Sequence, residues 1–112
     1  MKSGTVLCRR ADLKHTRCKS VSFGEFPEKK RYFVIESGQA VYGYINSCPH
    51  TGAPLNWLPD QFFDSEGQYI QCSLHGALFE KHTGLCIYGP CRGASLSPVA
   101  IRIEQDGTVV LD

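Results

Sequence analysis

The sequence contains no apolar run that approaches the ~20 residues a membrane-spanning helix needs. Its opening, Met-Lys-Ser-Gly-Thr-Val-Leu-Cys-Arg-Arg, holds no apolar stretch of the kind found in a secretory signal. Repeats, low-complexity stretches and linkers are missing too, and helical periodicity is weak throughout. There is almost no excess charge: 12 Lys and Arg against 11 Asp and Glu give a formal net charge of +1. Binding to nucleic acid or to a membrane surface usually needs a concentrated basic face, so neither partner is expected. The basic clusters, Arg9 with Arg10 and Lys29 to Arg31, read as solvated surface. These absences predict a cytoplasmic protein, and its 112 residues predict one domain spanning 1–112.

Six cysteines are present. In a reducing compartment they are better read as metal ligands, catalytic groups or buried thiols than as disulfides. Short β-like segments are also present, separated by Gly, Pro, Asn and Asp. Thr5 to Cys8 is a first candidate strand. Arg31 to Glu36 is rich in aromatic and β-branched residues, Ser37 to Gln39 makes a tight turn, and Ala40 to Ile45 is the hairpin partner. Val99 to Glu104 alternates apolar and polar residues, and Gln105-Asp106-Gly107 turns the chain into Thr108 to Leu111. Gln68 to Gln71 and Ala77 to Phe79 are shorter candidates. The spacing predicts an all-β sandwich or barrel-like fold. Three loops are too long for hairpin turns: Ser47 to Asp60, Cys72 to Ala77 and Tyr88 to Pro98. Ordered loops of that length in so small a domain are usually functional.

Two of these loops carry chemistry. Cys48-Pro49-His50 is a C-x-H and Cys72-Ser73-Leu74-His75 a C-x-x-H. Each places a thiol and an imidazole where one loop aims both at a common centre. A glycine follows each histidine closely (Gly52, Gly76), letting the backbone pass near a bound object. One such pair arises readily by chance; two in Gly-flanked loops define a metal site. Two thiolates and two imidazoles suit tetrahedral zinc and suit equally a [2Fe–2S] centre with two Cys on one iron and two His on the other.

The segment Asn46 to Leu55, the segment Cys72 to Phe79, Thr83-Gly84 and Gly89-Pro90 together resemble the Rieske iron–sulfur family. That family's pattern is C-x-H, a spacer, C-x-x-H-G, a strand, a T-G turn and a G-P loop over the cluster. With the hairpin from Tyr32 to Ile45 and the final strands from Ser95 to Leu111, the resemblance covers essentially the whole chain. It implies one [2Fe–2S] cluster, with Cys48 and Cys72 on one iron and His50 and His75 on the other. It also implies a β-sandwich base with a small inserted cluster-binding subdomain at about 46–92, and Pro90 in the closing loop. The spacer of 21 residues between His50 and Cys72 looks a few longer than in compact relatives. The extra segment, Trp57 to Gly67, is expected to pack Trp57, Phe62 and Phe63 on the core rather than to dock a partner.

The resemblance also bears on potential. Respiratory Rieske proteins carry an extra cysteine in each loop, joined as a disulfide; the matching positions here are Ala53 and Leu74. Those proteins place Ser and Tyr hydroxyls toward cluster sulfur where this chain has Ala77 and Phe79. Losing hydroxyl donors stabilises the reduced, more negative cluster less, so a potential low in the Rieske range is expected. The implied role is a one-electron carrier and not an enzyme: a monomeric ferredoxin taking electrons from a flavin-dependent reductase and passing them to an oxygenase. A Rieske oxygenase needs a second domain with mononuclear iron, and only His15 and His82 remain unassigned. Alternatives are a small redox subunit of a larger reductase such as nitrite reductase, an iron–sulfur redox sensor, and a structural zinc module. Of the other residues, Cys8 and Cys18 read as packing or surface thiols and His82 as a surface turn residue. Cys86 and Cys91 read as packing thiols near the cluster, with a local disulfide as the alternative. Leu58 and Leu78 are candidates for shielding the cluster or for plain core.

Overall fold

The segment Lys-Arg-Tyr-Phe-Val-Ile-Glu-Ser, Lys30 to Ser37, buries three consecutive side chains: Phe33, Val34 and Ile35. Successive side chains of a strand point to opposite faces, so both faces of its sheet must be covered. A computed structural model, describing residues 4–23, 30–49, 52–56, 60–73 and 76–112, shows how. The elements run β1 (Val6–Arg9), a 3-10 turn (Arg10–Leu13), β2 (Cys18–Phe23), β3 (Lys30–Ser37) and β4 (Ala40–Ile45). They continue with β5 (Ile70–Gln71), β6 (Leu78–Phe79), β7 (Cys86–Tyr88), β8 (Pro98–Val99), β9 (Ile101–Ile103) and β10 (Thr108–Leu111). The architecture is all-β, as expected.

Three sheets form, with orders β1-β10-β9, β2-β3-β4-β8 and β5-β6-β7. The four-stranded sheet lies in the middle. Phe33, Ile35 and Tyr44 face one core, shared with Leu55, Phe62, Ile70, Phe79 and Leu96 near the small sheet. Val34 faces the other core, shared with Leu13 of the 3-10 turn and with Leu7, Val109 and Leu111 of the first sheet. β2 follows the same alternation, with Cys18 in one core and Val21 and Phe23 packed on the other. Glu36, near the end of β3, receives Arg10 at 3.1 Å and Arg17 at 3.2 Å.

The β3–β4 hairpin and the turn into β10 lie where the sequence places them. Two elements differ. Val99 to Glu104 is not one strand: Val99 pairs with Gly43 of β4, whereas Ile101 pairs with Leu111 of β10. The chain changes sheets at Ala100, and Pro98, which lacks an N–H, occupies the edge of the central sheet. β2 escapes a reading by composition because Cys-Lys-Ser-Val-Ser-Phe is poor in strong β-formers. Full register with β3, from Cys18 opposite Ile35 to Phe23 opposite Lys30, supplies what propensity does not.

The long spacer packs on the core as expected. Phe62 is fully buried and stacks on Phe33 with ring centroids 4.4 Å apart and planes 9° off parallel. Asp60 accepts hydrogen bonds from the Ser20 N–H at 2.7 Å and the Ser20 hydroxyl at 3.0 Å. Phe63 lies under the Lys81 ammonium, 4.5 Å from its ring centre. Trp57 lies outside the described residues. Replacing Phe33 by Ala removes the ring on which both Phe62 and Tyr44 rest. Denaturant unfolding of Phe33→Ala is expected to show a loss of about 3–5 kcal/mol. Val6→Ala, at a largely exposed position, is expected to stay within about 0.5 kcal/mol of the parent.

Candidate metal centre

Cys48 and Cys72 sit in two loops of the same construction. The Cys48 N–H donates to the Ala53 carbonyl at 2.8 Å, and the Cys72 N–H donates to the Ala77 carbonyl at 2.9 Å. In return the Cys48 carbonyl accepts from the Gly52 N–H at 2.7 Å, and the Cys72 carbonyl from the Gly76 N–H at 2.9 Å. Each loop thus closes from the cysteine to the fifth residue beyond it, through a glycine at the fourth. Those glycines have φ of +77° and +71°, the left-handed region where a side chain is strained. The motifs C-x-H-x-G-A and C-x-x-H-G-A therefore share the same closing hydrogen bonds and left-handed glycine at their described ends. Both thiols are buried, Cys48 at 2% and Cys72 at 0% exposure, and both belong to the core cluster on the small-sheet side.

Backbone and side-chain hydrogen bonds hold the two loops to each other and to the central sheet. The Ser73 N–H of the second loop donates to the Leu55 carbonyl of the first at 2.8 Å. Asn46, buried at the end of β4, accepts from the Leu55 N–H at 2.8 Å and donates to the Asn56 side chain at 2.9 Å. Its own N–H donates to the Arg31 carbonyl at 2.9 Å, which links loop and β3. The third loop closes against the second: a Cβ at Gly89 would lie 2.8 Å from the Ala77 Cα, so only glycine fits. The pair of buried thiols in equivalent, tightly turned loops fits a metal or cluster held from two sides.

His50 and His75 lie outside the described residues, as do Leu58 and Leu74. Among the described residues no group of three or more His, Cys, Asp or Glu side chains assembles as a metal site. Phe79 and Ala77 are fully buried and carry no hydroxyl, while Leu78 is half-buried. His82 is an exposed turn residue whose Nδ1 pairs with the Tyr42 hydroxyl at 2.8 Å. Cys8 and Cys18 are buried, and burial raises both thiol pKa values, Cys8 to about 11. Cys86 and Cys91 are free thiols with sulfurs 3.2 Å apart. Burial first, then the Cys86 and Cys48 thiols beside it, pushes the Cys91 thiol up to about 12. One contributor was not legible from sequence: Asn46 is betrayed only by being a polar residue just after an otherwise apolar strand. Cys91, flanking Gly89-Pro90, lies near the first loop as the sequence predicts.

Residues 3–105 match the Rieske [2Fe-2S] domain, and the chain belongs to that family. Such a domain binds one [2Fe–2S] cluster. No curated protein sequence matches the chain. Among solved structures, the Sphingomonas yanoikuyae B1 ferredoxin is 26% identical with a TM-score of 0.71, covering 97% of each chain. The ferredoxin of carbazole 1,9a-dioxygenase from Nocardioides aromaticivorans IC177 is 22% identical, with a TM-score of 0.70 and 98% of each chain covered. A protein described as a nitrite reductase NADPH small subunit is 16% identical, with a TM-score of 0.67, covering 99% of this chain and all of that one. The last two likenesses are likenesses of fold.

Asn46→Ala leaves the buried Leu55 N–H without its acceptor. It is expected to destabilise the protein by about 1–3 kcal/mol in denaturant unfolding, and to lower the iron content of purified protein through loosening of the first loop.

Proposed function

We propose that this chain is a single-domain Rieske ferredoxin that holds its cluster through Cys48, His50, Cys72 and His75, within a cluster-binding unit at about 46–92. The equivalence of the two loops, each folded around a buried cysteine through the same pair of backbone hydrogen bonds, carries this reading. When bound, the cluster supplies reversible one-electron transfer, with neutral imidazoles in place of two thiolates raising its potential above that of an all-cysteine centre. The chain's own part is to place and shelter. Cys48 and Cys72 offer thiolates from a dry interior, Asn46 and the Ser73–Leu55 hydrogen bond fix the distance between loops, and Gly89 seats the third loop on Ala77. Ala77 and Phe79 withhold hydroxyl donors, which favours a potential in the lower part of the Rieske span of about −150 to +300 mV.

The donor in this reading is a flavin-dependent reductase, the acceptor an oxygenase, and the protein works as a cytoplasmic monomer. The S. yanoikuyae ferredoxin supports a carrier, and the ferredoxin of carbazole 1,9a-dioxygenase supports one serving an oxygenase; both match along nearly their full length. The full-length fold match to the nitrite reductase small subunit keeps one competitor, a subunit of a larger reductase. Affinity capture with the encoded neighbours separates them: a stable stoichiometric complex favours the subunit, transient association the ferredoxin.

The EPR spectrum of dithionite-reduced protein tests cluster and ligands together, because mixed His/Cys ligation lowers the average g-value relative to four thiolates. His50→Ala and His75→Ala are each expected to abolish that signal; an unchanged spectrum in either variant refutes the ligand assignment. Purified protein holding zinc and no acid-labile sulfide refutes the cluster. The midpoint potential is expected below about +150 mV by redox titration.

A further inference from the structure

Two buried thiols outside the proposed ligand set face each other. Cys86 opens β7, Cys91 follows Gly89 and Pro90, and their sulfurs lie 3.2 Å apart. A disulfide bond is about 2.0 Å long, so closure asks for roughly 1 Å of movement. The backbone, not the thiol contact, brings the sulfurs together. The Cys86 N–H donates to the Ala94 carbonyl at 2.8 Å, Gly93 donates to the Cys86 carbonyl at 3.1 Å, and Ala94 donates to the Cys91 carbonyl at 2.9 Å. The remaining two cysteines are placed differently. The Cys18 thiol donates to the Asp60 carbonyl at 3.0 Å, and Cys8 lies in the other core.

We propose that Cys86 and Cys91 form a thiol–disulfide pair, a second and two-electron redox site beside the cluster loops, whose oxidant is a low-molecular-weight disulfide such as oxidised glutathione. Cys91, the more exposed of the two at 7% against 2%, is the entry thiol. Its sulfur, which burial holds protonated, gives up its proton to the departing small thiolate as it attacks, forming a mixed disulfide and releasing one small thiol. The Cys86 sulfur, losing its proton, then attacks the Cys91 sulfur, forming the Cys86–Cys91 bond and releasing the second small thiol. The protein loses two electrons and two protons, and the small disulfide takes up both.

The test equilibrates holoprotein over a series of reduced-to-oxidised glutathione ratios, quenches with acid, and alkylates in denaturant with N-ethylmaleimide. Trypsin releases both cysteines in one peptide, His82 to Arg92. That peptide is expected to carry two labels in reducing buffer and, in oxidising buffer, none, with a mass lower by about 2 Da, while Cys8 and Cys18 stay labelled. Two labels throughout, or a lasting glutathione adduct in place of the internal bond, overturns the pair. The peptide map decides the disulfide whether or not the protein gives a Rieske EPR signal.

Discussion

Everything at one end of this molecule depends on how tightly the backbone turns around two cysteines. A buried thiol that is to be a ligand must be surrounded by protein yet leave its sulfur facing a shared centre. The chain meets that constraint twice by the same means. The cysteine N–H binds the carbonyl five residues on, and a left-handed glycine at the fourth position brings the chain back. Two loops of one shape, joined by the Ser73–Leu55 hydrogen bond, form a paired grip rather than two independent loops.

The rest of the fold serves to hold that grip. β3, buried on both faces, is the common wall of two cores. Its Phe33 carries the spacer through Phe62, and its Arg31 carbonyl receives the N–H of Asn46, which in turn positions Leu55. Each link from sheet to loop is either a fully buried ring contact or a hydrogen bond from a buried polar group. Links of both kinds are costly to lose, so the loops inherit the rigidity of the central sheet.

How far the sequence foretells this depends on whether the information is local. The β3–β4 hairpin, the turn at Asp106-Gly107 and the two Gly-flanked loops are set by residues within a few positions of one another, and each lies where the residues place it. The spacer's aromatics were also legible, because a cluster of exposed Phe would be unfavourable. β2 was not legible: Ser and Lys conceal a strand whose stability comes from pairing with β3. The break at Ala100 was hidden for the same reason, since the alternation from Val99 to Glu104 continues through a point where the chain leaves one sheet for another. At the site, the cysteines declared themselves by spacing, whereas Asn46 acts through a partner distant in sequence that no pattern announces.

These braces also bear on why the chain manages without the inter-loop disulfide of its respiratory relatives. With Ala53 and Leu74 at the matching positions, no covalent link joins the two loops there. One hydrogen bond, from Ser73 to Leu55, joins the two loops directly; Asn46 ties the first to β3, and Gly89 seats the third loop on Ala77 of the second. In that third loop the backbone brings the Cys86 and Cys91 sulfurs to 3.2 Å. A cross-link at that place would fasten the third loop to itself and leave the two gripping loops free of each other. An inter-loop disulfide holds its loops regardless of conditions. A dithiol in the adjoining loop, as proposed, changes reversibly while the hydrogen-bonded grip stays as it is. On the proposed ligand set, holding the cluster and responding to thiol oxidation thus fall to different residues.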